Sequence, residues 1–299
     1  NMVDIKAHDK LKVAKIGCTA SNLMIISEEG SLHVIRIDQF WNSRDEVCLK
    51  PHHGIVFPYR VVSIACGYFH ALIATEIGLF GLGSNSHQEL GIKDQNNNLP
   101  YRTPVQIPFF SNQSIQVFAA GRFFSIVKSD DGIFVFGDNR YGQLGILRTY
   151  HRTDTAHQIE ELPGDPHPFF RDNFMHTKQI SCGRTHSVVL MENGEPYVFG
   201  SNRAGQLGLA NTRRHYTPKL LEYFDSNPAS AVQCGDLHTM YLTYSGEVYV
   251  TGLDRNAKGI TDTMEALSIR PQLIDNIPTV FTSTKKNRFA KTKSARNRK

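Results

Sequence analysis

A chain of 299 residues, 40% of them hydrophobic, is long enough to bury a substantial core and too apolar to stay unfolded. Its first twenty residues alternate charge with short apolar pairs, and no stretch is long and apolar enough to span a bilayer, so neither a signal peptide nor a membrane role is expected. The net charge of +5 is unevenly spread: residues 285–299 hold eight Lys/Arg and no acid, leaving 25 bases against 28 acids in residues 1–284.

Five cysteines, Cys18, Cys48, Cys66, Cys182 and Cys234, form no closely spaced pair. An odd count without a leader argues against a disulfide framework and for a reducing compartment.

In chain order, one unit recurs. A faint copy, GCTASNLMIISEEGSLHVIR, begins at Gly17. Three full copies follow from Ala65, Ala119 and Ser181, and a fifth from Gln233 keeps only its first half. Gly67, Gly121, Gly183 and Gly235 are each followed eleven residues later by a second glycine: Gly78, Gly132, Gly194 and Gly246. His70, His186 and His238 stand three residues after the first glycine, and Phe124 takes that place in the remaining copy. Gly83, Gly137 and Gly200 then open the run G-x-N-x-x-x-x-L-G, ending at Gly91, Gly145 and Gly208.

Each unit predicts a β-hairpin. Phe124–Ser129 and Ile133–Phe136 are β-prone runs joined by DDG, with ENG and YSG at the matching places of the next two copies. Such turns need positive φ, which Gly and Asn supply cheaply. Upstream of most hairpins lies a further run after a proline (TPVQIPFF, TPKLLEYF, RPQLIDNI), giving about four strands per unit. The expected fold is all-β: a propeller of four-stranded antiparallel blades over residues 1–284, with about five repeats and a disordered basic tail at 285–299.

The arrangement of glycine, two residues, histidine, a turn glycine and then G-x-N-x-x-G-Q-L-G resembles the regulator of chromosome condensation repeat family. It is clearest in GDNRYGQLG at Gly137 and GSNRAGQLG at Gly200. No adjacent glycine pair marks kelch repeats, and Trp41 is the sole tryptophan, against Trp-Asp repeats. The resemblance implies a seven-bladed propeller, whereas this chain has room for roughly five blades: a smaller ring, or an incomplete one. For the family's founding members it implies guanine-nucleotide exchange on a small Ran-like GTPase.

No phosphate loop, nucleophile elbow or H-E-x-x-H motif occurs, so no catalytic, metal or cofactor site is expected. The recurring histidines are spread one per blade, which points to a structural role with each imidazole hydrogen-bonded near a turn. Cys18, Cys66, Cys182 and Cys234 read as small buried side chains, and Asn85, Asn139 and Asn202 as turn residues. The long interval between the third and fourth units suggests a protruding loop, where Phe169 and Phe170 either anchor a partner or pack on the blade. Segments after G-Q-L-G place Arg148, Arg152, Arg213 and Arg214 on one face, as solvated charge or as a positive surface for an acidic protein or phosphates. Lys285, Lys286, Arg288, Lys291, Lys293, Arg296, Arg298 and Lys299 read as a nuclear localisation signal or a nucleic-acid or chromatin contact. The function expected is a non-catalytic scaffold for a protein partner, with nucleotide exchange as the alternative. The location expected is nuclear, with cytoplasmic as the alternative.

Overall fold

The computed structural model describes residues 5–6, 12–36, 47–48, 57–93, 100–146, 152–158, 176–253 and 268–274. A two-residue strand β1 (Ile5–Lys6) pairs in parallel with β5 (Val47–Cys48). All other pairing is antiparallel and falls into five sheets. The first holds β2 (Val13–Cys18), β3 (Asn22–Ser27) and β4 (Leu32–Arg36). The second holds β6 (Val61–Cys66), β7 (His70–Thr75), β8 (Gly78–Gly83) and β9 (Tyr101–Gln106). The third is β10 (Ile115–Ala120), β11 (Phe124–Ser129), β12 (Gly132–Asp138) and β13 (Arg152–Gln158). The fourth is β14 (Thr177–Cys182), β15 (His186–Met191), β16 (Pro196–Gly200) and β17 (His215–Leu220). The fifth is β18 (Ala229–Cys234), β19 (His238–Thr243), β20 (Val248–Gly252) and β21 (Ser268–Leu273). These are the blades of a β-propeller, four-stranded except the first, which shows three strands among the described residues.

The hairpin glycines occupy equivalent turns, at φ 123° (Gly78), 143° (Gly132), 87° (Gly194) and 88° (Gly246). That region is closed to most side chains, so the turn fixes the register of the second and third strands. The proline-led runs differ from expectation in one respect. TPVQ, TPKL and RPQL do not lead into the next hairpin; each lies in the fourth strand of the preceding blade, Tyr101 pairing with Gly83 and His215 with Gly200. Proline is tolerated there because an outermost strand can spare one ladder donor.

Side chains alternate across each blade, so both faces of an inner blade are apolar and bury against its neighbours. One core cluster lies between blades one and two (Met24, Ile26, Ile73, Phe80), another between two and three (Leu72, Leu90, Val127, Phe136). A third lies between three and four (Phe124, Ile126, Val189, Phe199), and a fourth between four and five (Val188, Leu190, Val232, Tyr241). Among the described residues no such cluster joins blade five to blade one. Each buried Val, Leu, Ile or Phe contributes about 1.5–3 kcal/mol, so these seams dominate stability.

The repeated polar residues complete the seams. Asn85, Asn139 and Asn202 are fully buried. Each Oδ1 accepts from a backbone N–H five residues on (Leu90 3.0 Å, Leu144 3.0 Å, Leu207 2.9 Å), and each Nδ2 donates to a carbonyl further along (Ile92 2.9 Å, Ile146 3.3 Å, Asn211 2.7 Å). The asparagine is the clamp of the whole G-x-N-x-x-x-x-L-G loop. His70 and His186, also buried, reach the next blade instead of their own turn: Nε2 lies 2.9 Å from Ser125 Oγ and 2.9 Å from Thr239 Oγ1. Those hydroxyls donate to the carbonyls of Glu89 (2.7 Å) and Gln206 (2.9 Å), so each imidazole must be the donor, through Nε2–H. The sequence-based role was structural; its partner is the adjacent blade, which corrects the turn assignment.

Candidate protein-binding face

All five first strands end side by side around a funnel of about 490 Å³. Cys18, Cys66, Cys182 and Cys234, with Ala120 at the corresponding place in the third blade, line it. This corrects the reading of four buried cysteines, since Cys18 is exposed and Cys66 and Cys182 are half-buried. Burial pushes the Cys66 and Cys234 thiols up to about 12, so neither is a thiolate nucleophile near neutral pH. Among the described residues no group of three or more His, Cys, Asp or Glu could hold a metal ion.

At the mouth of the funnel the chain turns back through the G-x-x-H segment. The glycine N–H bonds the carbonyl of the residue three on (Gly67 to His70 2.8 Å, Gly121 to Phe124 2.8 Å, Gly183 to His186 2.9 Å, Gly235 to His238 2.9 Å). A Cβ on Gly183 would lie 2.5 Å from the Gly235 carbonyl oxygen of the next blade, so glycine is forced by close packing. The two residues between are thrown outward: Tyr68–Phe69, Arg122–Phe123, Arg184–Thr185 and Asp236–Leu237.

Blades two and three use these positions to build one platform. Tyr68 meets Phe69 edge-on at 4.6 Å, Phe69 stacks on Phe123 at 5.6 Å, and His87 stacks on the far side of that cluster against Phe123 at 4.1 Å. The Arg122 guanidinium lies 5.5 Å from the centre of the Tyr68 ring and 4.8 Å from that of Phe123. Its Nε is buried without a hydrogen-bond partner among the described residues. The neighbouring Arg184 instead faces Asp236 at 3.4 Å, and Arg140 is held by Asp138 at 2.8 Å. Arg122 thus has no carboxylate opposite it among the described residues.

The sequence-selected arginines join this face only in part. Arg213 and Arg214 are exposed just before β17, and Arg214 lies 5.8 Å from the Tyr141 ring of the third blade. Arg152 opens β13 opposite Asp138, the place in its blade that corresponds to the start of β17. Arg148, Phe169, Phe170 and the basic residues of 285–299 lie outside the described residues. Sequence reasoning missed Tyr68, Phe69, His87, Arg122 and Phe123. The signal was present: bulky aromatic and basic residues in YF and RF, between a glycine and a core position where nothing but solvent-facing side chains fit.

The regulator of chromosome condensation (RCC1) repeat profile matches residues 78–127, 130–190 and 193–242, and a second profile of the same repeat matches 177–206 and 229–259. Among curated relatives, the mouse serine/threonine-protein kinase Nek9 is 32% identical over 213 residues, 70% of this chain and 20% of that protein. The Arabidopsis thaliana ultraviolet-B receptor UVR8 is 29% identical over 211 residues, 69% of this chain and 43% of the receptor. The chain thus spans less than half the length of either. Yeast RCC1 (Prp20), solved bound to Kap60, superposes with a TM-score of 0.70 at 18% identity, covering 90% of this chain and 62% of that one. Human WBSCR16 gives 0.59 at 21% identity, covering 78% and 60%. With more than half of its residues inside matched repeats and the same blades in space, the chain belongs to the RCC1 repeat family.

Proposed function

We propose that this chain is a non-catalytic interaction scaffold that grips a protein partner at the funnel mouth, with the platform of blades two and three as its anchor. The observation that carries this reading is the exposure of Tyr68 (53%) and Phe69 (43%) beside a guanidinium without a described carboxylate. Clustered Tyr, Phe and Arg that are stiffened by one another lose little entropy on binding and form the usual composition of interface hot spots. The partner segment that suits them presents a carboxylate next to an apolar side chain. Arg152, Arg213 and Arg214 would extend the positive rim, and the basic residues 285–299 would add a nuclear address or a contact to nucleic acid or chromatin.

Guanine-nucleotide exchange on a Ran-like GTPase is the second reading. A solved structure of yeast Prp20p is described with its binding properties to Gsp1p and histones, which selects the proteins to try first. The test is a binding panel of a Ran-like GTPase, nucleotide-free and loaded, histones, and acidic–aromatic peptides. Arg122→Ala and Tyr68→Ala should each weaken the bound member about 30-fold or more, the hot-spot range of ≥ ~2 kcal/mol, with Tm unchanged. Equal binding by both variants would remove the platform from the interface. Accelerated release of labelled nucleotide from the GTPase would establish exchange over a passive scaffold.

A further inference from the structure

One position recurs two residues past the end of each first strand. It is Ala20, Tyr68, Arg122, Arg184 and Asp236 in blade order, and all five line the funnel. Thr19 N–H bonds the Asn22 carbonyl at 2.9 Å just as Gly67 N–H bonds that of His70, which puts Ala20 in register with Tyr68. The fold repeats this position while the sequence varies it. The rim therefore runs from apolar to aromatic, then to two guanidiniums from adjacent blades, then to one carboxylate.

Arg122 is the better prepared of the two cations. The Tyr68 and Phe123 rings hold its guanidinium, and its Nε–H is buried with no acceptor among the described residues. Arg184 is paired, but loosely: Asp236 lies 3.4 Å away with its side chain 65% exposed, so water screens the pair and a stronger anion can displace it. Asp236 is the one carboxylate among the lining residues. Burial raises the Cys66, Cys182 and Cys234 thiols, so they add no thiolate charge to the wall at neutral pH. The funnel, at about 490 Å³, falls within the size of small-ligand sites.

A partner carboxylate carries one charge and two oxygens, enough for the Arg122 fork alone. A phosphate monoester carries a charge of about −1.5 to −2 at pH 7 and three free oxygens, enough to bridge two guanidiniums. A nucleic-acid backbone fits worse. Its phosphates carry one charge each and are tracked by a groove of cations, whereas these two arginines line one funnel beside an aspartate.

We infer, resting on the platform proposed above, that Arg122 and Arg184 form a phosphate-binding pair on the funnel rim. The pair takes a phosphorylated side chain of the protein partner, whose neighbouring apolar residue packs on Tyr68 and Phe69. Arg184 is the addition, since a carboxylate-bearing segment would not need it.

The test offers the immobilised chain three labelled peptide pools of one design: Phe followed by phosphoserine, serine or glutamate, between randomised flanks. The phosphoserine pool should bind at least ~10-fold more tightly than the glutamate pool, and Arg122→Ala and Arg184→Ala should each remove most of that difference with Tm unchanged. Asp236→Asn should strengthen binding of the phosphoserine pool alone. No binding of any pool, equal binding of the phosphoserine and glutamate pools, or an Arg184→Ala variant that keeps the preference would overturn the phosphate pair. If Tyr68→Ala still weakened the bound pools in the last two cases, the platform would stand without the pair; binding indifferent to Tyr68→Ala would remove the platform itself. Inorganic phosphate that displaces the phosphoserine pool at equal concentration would assign the pair to a free anion, and oligothymidylate that does so would assign it to nucleic acid. Either result would overturn the peptide assignment.

Discussion

A buried imidazole that donates through Nε2 leaves Nδ1 as a bare acceptor, and in both His70 and His186 that atom has no hydrogen-bond partner among the described residues. Protonation there would bury a charge at a desolvated site with too little around it to offset the lost hydration. Burial accordingly pushes His70 down to about 4, with the Glu89 charge pulling slightly back, and His186 down to about 3, with the His238 charge adding to the effect and a hydrogen bond to the His238 backbone opposing it. Unfolded, both return to the ordinary value of about 6.5, so the unfolded chain takes up protons first as pH falls. Stability is therefore full above pH ~6.5 and declines from there to about pH 4, at close to 3 kcal/mol per pH unit while both sites titrate in the unfolded state alone. Urea midpoints between pH 7.5 and 4.5 measure this, and replacing either histidine should roughly halve the slope. The replacement matters too. The third blade places Phe124 where the others have histidine, fully buried over Gly121 as His186 is over Gly183. His186→Phe should then cost less than His186→Ala, which loses about 1–3 kcal/mol through a missing hydrogen bond and an unfilled space. Thr239 keeps its bond to the Gln206 carbonyl in either variant.

At the scale of the element, the loop after the third strand stands on its asparagine. Asn202 holds Leu207 N–H and the Asn211 carbonyl at once, from a fully buried side chain. Asn202→Ala should destabilise by about 2–4 kcal/mol, while Asn211→Ala, which leaves the backbone carbonyl in place, should cost under ~1 kcal/mol; chemical denaturation of the two variants checks the order. The difference between a clamp and a turn residue explains what could be read in advance. The glycine spacing and the DDG, ENG and YSG turns are local signals, and they placed the hairpins Phe124–Ser129 and Gly132–Asp138 almost to the residue. The fourth strand was visible as TPVQ but not its partner, because pairing Tyr101 with Gly83 closes a long connection that no short-range pattern encodes. His70 and Asn85 stood out by repetition, yet their work is done across a seam or inside a loop, which spacing along the chain does not reveal. The platform at Tyr68, Phe69, Arg122 and Phe123 escaped for the opposite reason: these residues vary from blade to blade, and a search for repetition passes over what does not repeat.

On the scale of the whole molecule, charge is segregated. Residues 1–284 carry a net charge of −3, yet Arg122 and Arg184 line the funnel, Arg213 and Arg214 stand exposed before β17, and eight further cations sit in residues 285–299. Those last residues lie outside the described part. With only Phe289 as a sizeable apolar side chain among eight Lys/Arg, they have little to contribute to a seam of the kind that holds the blades together. Deleting Lys285 onward should leave Tm within about 1 °C of the parent. The same deletion should reduce nuclear accumulation of a tagged chain and weaken binding to DNA or RNA. Binding by the intact chain should fall steeply with salt, since each neutralised phosphate releases condensed counterions. If all eight cations engage, the slope of log affinity against log salt is about −6 to −7, and the deletion should flatten it by nearly that amount. Arg213→Ala with Arg214→Ala supplies the contrast, because a positive rim on the folded face would account for a slope of only about −2. A deleted protein that keeps its slope and its nuclear location, alongside a rim variant that loses them, would move the anion-binding role from the basic segment to the blades.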